Sequence, residues 1–242
     1  MHLRFRPGLW PSLVVLLLLP LLLALGFWQL DRAEQKREWL ARQEAALQQD
    51  AVNLNAIQPD YQTVAHHRAQ ANGRYDAAHQ ILLDNQVRDR QQGYLVLTPL
   101  RLAGTEQAIL VDRGWMPASP DRSQLPDIAL TALDANVQGI IDQGPSAGLK
   151  LGPAASDTSW PLRLQYLDFE LLAQQLPYPL LPYVLRLDPD QPQGYRRDWQ
   201  PVTEMGPATH MGYAVQWFGL ALALVVIYIV VNTRRVERAA RD

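Results

Sequence analysis

The sequence predicts an α+β membrane protein: two transmembrane helices flanking a mostly antiparallel β domain with peripheral helices. Three observations carry this reading. No charged residue falls between Arg6 and Asp31, and none between Glu204 and Arg234. Both uncharged stretches are rich in Leu and Val. Between them, short apolar runs recur between Gly, Pro, Asn and Asp, the pattern of strands bounded by turns. The chain has 242 residues, enough for a real core. Its charged fraction of 19% is below the roughly 25% usual for soluble chains.

The elements follow in order. Residues 1–8 form a short tail carrying Arg4 and Arg6. Residues 9–29 form the first transmembrane helix. Leu9 to Trp28 is about 20 residues, and at about 1.5 Å per residue it covers the roughly 30 Å of bilayer hydrocarbon. Trp10 and Trp28 sit near its ends, as in an interfacial aromatic belt. Pro20 is tolerated in a membrane helix. A cleaved signal peptide is the competing reading, with Ala24-Leu25-Gly26 as its small-x-small site. The apolar run is long for that role and flows straight into a helical pattern.

Residues 30–210 form the α+β domain. Trp28 to about Gln49 is dominated by good helix formers and continues the first span outwards. Glu38 and Arg42 are spaced for an i,i+4 ion pair. Asn53 to Pro59 ends the helix. Strands are expected before Gly73 and at Ile81–Val87, Tyr94–Leu102, Ala108–Asp112, Val137–Ile141, Leu162–Leu167 and Tyr183–Leu187. Ala103 to Glu106 reads as a hairpin loop. Frequent prolines from Pro99 to Pro207 exclude long helices there. Phe169–Leu176 reads as one short helix with Asp168 as its N-cap. Residues 211–231 form the second transmembrane helix, with Tyr213 and Trp217 towards one end and Tyr228 towards the other. Its length and lack of charge argue against a buried core helix. Residues 232–242 form a basic tail.

Charge orients the chain. Each tail carries two net positive charges, so the middle must hold six net negatives for the whole to stand at −2. The positive-inside rule places both tails in the cytoplasm and the domain in the periplasm of a bacterial inner membrane, or in the intermembrane space of a mitochondrion. The overall charge argues against nucleic-acid binding. The absence of cysteine excludes a disulfide scaffold, a thiolate nucleophile, Cys-ligated zinc or iron–sulfur sites, and c-type haem attachment.

Catalytic motifs are missing: no nucleophile elbow, no P-loop, no dinucleotide fingerprint, no His-Glu-x-x-His. Asp84, Asp112 and Asp188 fall near strand ends, where solvated or turn-capping roles are expected. His2 lies in a tail. His66 and His67 are adjacent, so in a strand they point to opposite faces. His79 falls in a loop after Tyr75. His210 stands at the mouth of the second span, and on a helix it shares a face with Tyr213 and Trp217. An imidazole there suits haem iron, with the aromatics as a wall for the macrocycle. An interfacial His among belt aromatics is the plainer alternative.

The run from His210 to Ala221 (HMGYAVQWFGLA) resembles the C-terminal signature of the surfeit locus (Surf/Shy) family of cytochrome c oxidase assembly factors. Three further blocks match in order: Leu25 to Arg32 with Lys36; Gly73-x-Tyr75 with Asp84-Asn85 and Gly93; and Leu110 to Pro117. Trp160-Pro161 also fits. The resemblance implies a non-enzymatic, multi-pass membrane factor that assists haem a insertion into oxidase subunit I. It implies subunit I, haem a synthase and the lipid bilayer as partners. It also implies haem a as a transient cofactor with His210 as axial ligand. Tyr213 and Trp217 are the wall by spacing, and no further metal site is expected. Arg113, Gly114 and Trp115 read as structural, with Gly114 allowing a backbone bend and Trp115 packing a core or interface. Two alternatives stay open: a haem-independent docking factor and a membrane-anchored periplasmic enzyme.

Overall fold

The computed structural model of the chain describes residues 2–122, 124–145, 152–155, 159–199 and 205–236. They divide into two compact units, residues 1–42 with 201–242, and residues 43–200.

The first unit is a pair of long helices, α1 (Leu9–Leu47) and α4 (Pro207–Asn232), both long and apolar enough to cross a membrane. The two predicted spans lie inside them, and α1 runs on as one helix through the expected outward extension. The helices pair antiparallel at both ends. Near the chain termini, Ser12 Oγ bonds the Tyr228 hydroxyl at 2.8 Å. There the Asn232 side-chain oxygen also accepts from Gly8 N–H at 2.8 Å. Towards the other end, the Phe218 ring lies over Gly26, where a Cβ would come within 2.6 Å of it. Only a residue without a side chain permits that approach. The ring meets Phe27 edge-on at 5.3 Å. The tails are not plain extensions: β1 (His2–Phe5) and β10 (Thr233–Val236) form a two-stranded antiparallel sheet. Residues 237–242 of the basic tail lie outside the described residues.

The second unit is an eight-stranded sheet. Its strands are β2 (Val52–Asn53), β3 (Arg68–Tyr75), β4 (Ile81–Arg88), β5 (Gln91–Leu102), β6 (Ala108–Pro117), β7 (Asp134–Asp142), β8 (Leu162–Leu164) and β9 (Leu180–Leu187). The order is β2-β3-β7-β9-β6-β5-β4-β8, and β3 also pairs with β5. That extra pairing closes β3, β7, β9, β6 and β5 into a barrel. Counted along the chain, the barrel strands run 1-2-3-5-4-1 around the circumference, with the third and fifth parallel. This is the Greek-key arrangement of OB-type barrels. The expected mostly antiparallel domain is thus a mixed sheet, with β2–β3, β4–β8 and β6–β9 parallel. Parallel pairing requires a crossover connection, which no local periodicity announces.

Alternation along the barrel strands turns Ala69, Ala71, Tyr75, Val111, Val137 and Tyr183 into one buried core. A second core, around Leu83, Leu97, Leu110 and Trp115, packs under α3 (Phe169–Gln175). Asp168 caps α3, its Oδ1 accepting from Glu170 N–H at 3.1 Å and Leu171 N–H at 3.0 Å. A short α2 (Tyr61–Val64) precedes β3.

Candidate functional site

Pro207 opens α4 after Gly206 as N-cap; its missing N–H costs nothing at that position. His210 therefore lies in the first turn. Tyr213 and Trp217 follow at three and seven residues on the same helix face, as their spacing requires. Tyr213 is 40% exposed, and His210 and Trp217 are half-buried.

The sequence reading missed His210's partner. Gln29 on α1 is buried, 9% exposed, and its Oε1 accepts from His210 Nδ1–H at 2.8 Å. Among the described residues, Nε2 has no hydrogen-bond partner. Among the described residues the ring is thus held through one nitrogen alone. The available signal was a glutamine closing an otherwise apolar run, because polar groups in such runs are expensive. Beside it the Arg32 guanidinium stacks on Trp28 at 5.6 Å. A single imidazole nitrogen with neighbouring aromatics fits an axial haem ligand. Among the described residues no group of three or more His, Cys, Asp or Glu could hold a metal ion.

The other histidines stand elsewhere. His66 and His67 do not lie in a strand; they precede β3, and His66 adopts φ +65°. Gln43 Nε2 donates to His66 Nε2 at 3.2 Å, and His67 bonds Gln49 at 2.8 Å. His79 ends a 3-10 turn, Ala77–His79. Its Nδ1 bonds Asp76 at 2.7 Å and its ring meets Trp160 edge-on. The side chain of His2 lies outside the described residues.

The three strand-end aspartates are not solvated. Asp84 is buried against Arg122 at 2.6 Å, and Asp188 pairs with Arg68. Asp112 is 1% exposed. Its Oδ1 does cap a turn, accepting from Gly114 N–H at 3.0 Å, but its Oδ2 has no partner. Burial pushes its carboxyl up to about 7; Asp142 adds to the rise, while the Gly114 N–H, Arg186 and Arg88 oppose it. Arg186 sits across the β6–β9 ladder but bonds Asp142 instead, at 3.1 Å.

Arg113 is buried and pins four oxygens. Its Nε donates to Gln193 O at 2.7 Å, and its Nη1 to Gln80 Oε1 at 2.9 Å, Ile128 O at 3.2 Å and Thr98 Oγ1 at 3.4 Å. Gly114 adopts φ +107°, and a Cβ there would come within 2.6 Å of Arg196 O. Trp115 is buried and donates through Nε1 to Gln86 O at 2.8 Å. The contacts of all three named here tie β6 to neighbouring strands and loops of the domain.

Known proteins resemble this chain in sequence. The chain is 29% identical to a SURF1-like protein of Rickettsia felis over 234 residues, covering 90% of this chain and 95% of that one. It is 29% identical to Surfeit locus protein 1 of Arabidopsis thaliana over 126 residues, covering 47% of this chain and 36% of that one. It is 25% identical to a SURF1-like protein of Dictyostelium discoideum, covering 84% and 89%. The SURF1 family model matches residues 16–222, from the first apolar helix through the whole sheet domain to the His210 segment, and the chain belongs to that family.

Proposed function

We propose that this protein assists maturation of cytochrome c oxidase by holding haem a, its cargo, through His210 and passing it towards oxidase subunit I. The observation that carries this reading is the His210 ring, held at Nδ1 by Gln29 and, among the described residues, without a hydrogen-bond partner at Nε2. Family membership sets the oxidase context. Haem a would bring an iron that an imidazole can ligate; His210 would hold it, and Tyr213 and Trp217 would give the macrocycle an aromatic wall. A single ligand suits transfer, because a closed cage would not let go. The protein is an assembly factor and not an enzyme. It sits in the bacterial inner membrane with α1 and α4 as spans, both tails cytoplasmic and the sheet domain outside. The domain gives subunit I, and a haem a synthase, a rigid surface to dock on.

The test is the optical spectrum of the protein purified from membranes of cells that make haem a, beside His210→Ala. A haem a band lost in the variant supports the reading. A band that survives moves the ligand elsewhere. No band in either, with oxidase activity still dependent on the protein, favours haem-independent docking.

A further inference from the structure

We propose that Gln29 is a positioning residue for His210: its amide oxygen holds the imidazole in the tautomer protonated at Nδ1, so that the lone pair resides on Nε2. The inference rests on the haem reading above. The geometry supports it directly. Oε1 and Nδ1 stand 2.8 Å apart, a normal N–H···O distance. An acceptor facing Nδ1 requires the proton there, and a neutral ring then carries its lone pair on the other nitrogen.

Two features separate this role from simple adhesion between helices. Pairing towards the chain termini is already secured by the Ser12–Tyr228 and Asn232–Gly8 bonds, neither of which uses a titratable ring. Moreover, Gln29 is nearly fully buried with the His210 contact on its oxygen. An amide placed there pays desolvation, and what it obtains is orientation of one histidine.

The chemistry of the partner matters. A carboxylate at this position would draw the Nδ1 proton, increase the ring's donor strength and tighten its hold on iron. An amide orients the ring without that push. Gln29 thus fixes where the ligand points while keeping ligation moderate, as a carrier requires.

The experiment uses the full chain in lipid nanodiscs, as wild type, Gln29→Leu, Gln29→Glu and His210→Ala. The first readout is free of haem: the 15N signature of the His210 ring. Wild type should show protonated Nδ1 and unprotonated Nε2, and Gln29→Leu a mixture of tautomers. The second readout is haem a affinity and midpoint potential. Gln29→Leu should weaken binding about 10–100-fold, the usual range for loss of a metal-orienting partner. Gln29→Glu should restore binding and lower the potential. A wild-type ring protonated at Nε2 overturns the inference. So does unchanged affinity and potential in Gln29→Leu where His210→Ala loses haem. Haem retained by His210→Ala removes His210 as the ligand, and the tautomer result still decides the orienting role. If Gln29→Leu fails to fold, the wild-type tautomer and the potential of Gln29→Glu decide the matter.

Discussion

Replacing Asp112 with asparagine tests whether burial makes this carboxyl neutral in the folded domain. The folded value of about 7 lies well above the roughly 3.9 of an exposed aspartate. Between about pH 4 and 7 the folded chain therefore keeps a proton that the unfolded chain has released. Stability falls as pH rises through that window and levels off above it. The gap corresponds to a ceiling of about 4 kcal/mol. Asparagine keeps an oxygen to accept from Gly114 N–H, and its amide replaces an Oδ2 that already lacks a partner. A buried unpartnered NH2 costs about 1–3 kcal/mol, so the net gain at pH 8.5 is about 1–3 kcal/mol. At pH 5 the folded carboxyl is protonated and only about 1.5 kcal/mol of that ceiling has been lost, so with the same amide cost the substitution should range from near neutral to about 1.5 kcal/mol destabilising. Denaturant unfolding of the full chain in detergent, followed by tryptophan fluorescence at both pH values, reads the difference. Equal effects at the two pH values, or destabilisation at pH 8.5, would refute the argument that an ionised Asp112 is what the fold resists.

Two further substitutions probe the same domain by the same unfolding assay. Gly114→Ala places a Cβ at φ +107° against Arg196 O and should destabilise by about 1–3 kcal/mol; an unchanged midpoint would mean that the β6 turn yields freely. Arg113→Lys keeps the charge but replaces a planar fork with one ammonium, which cannot reach Gln193 O and Ile128 O together. A loss of about 2–4 kcal/mol is expected, and full stability would show that charge rather than geometry is what counts.

What the sequence made legible is what depends on near neighbours. The apolar spans, the hairpin loop between β5 and β6, the Asp168 cap and most strands rest on local periodicity and turn chemistry. The barrel closure does not: β3 meets β5 only through Gly73–Tyr75 against Leu100–Leu102, a register that no local pattern encodes. For Asp112 the turn-capping alternative holds through Gly114 N–H, but its burial is equally non-local, since it depends on β9 lying beside β6. At the helix pair, spacing brought out His210, Tyr213 and Trp217 because they share one helix. Gln29 lies 181 residues away from His210, and only pairing of α1 with α4 joins them.

The molecule also contains its own control for the partner chemistry at His210. His79 is likewise held through Nδ1, but by the carboxylate of Asp76 at 2.7 Å. Burial pushes the Asp76 carboxyl up, yet the bonds from His79 and from the Tyr178 hydroxyl outweigh it and leave the carboxyl below its usual range. That carboxylate oxygen holds the His79 ring at Nδ1 and also accepts from the Tyr178 hydroxyl at 2.8 Å, so the ring is tied into a bonded cluster. His79 is further held edge-on against Trp160. That arrangement suits a structural post in the sheet domain. At His210 the partner is an amide, which carries no charge. The same ring atom is fixed in both places, by a charged group in the sheet domain and by an uncharged one on the helix pair.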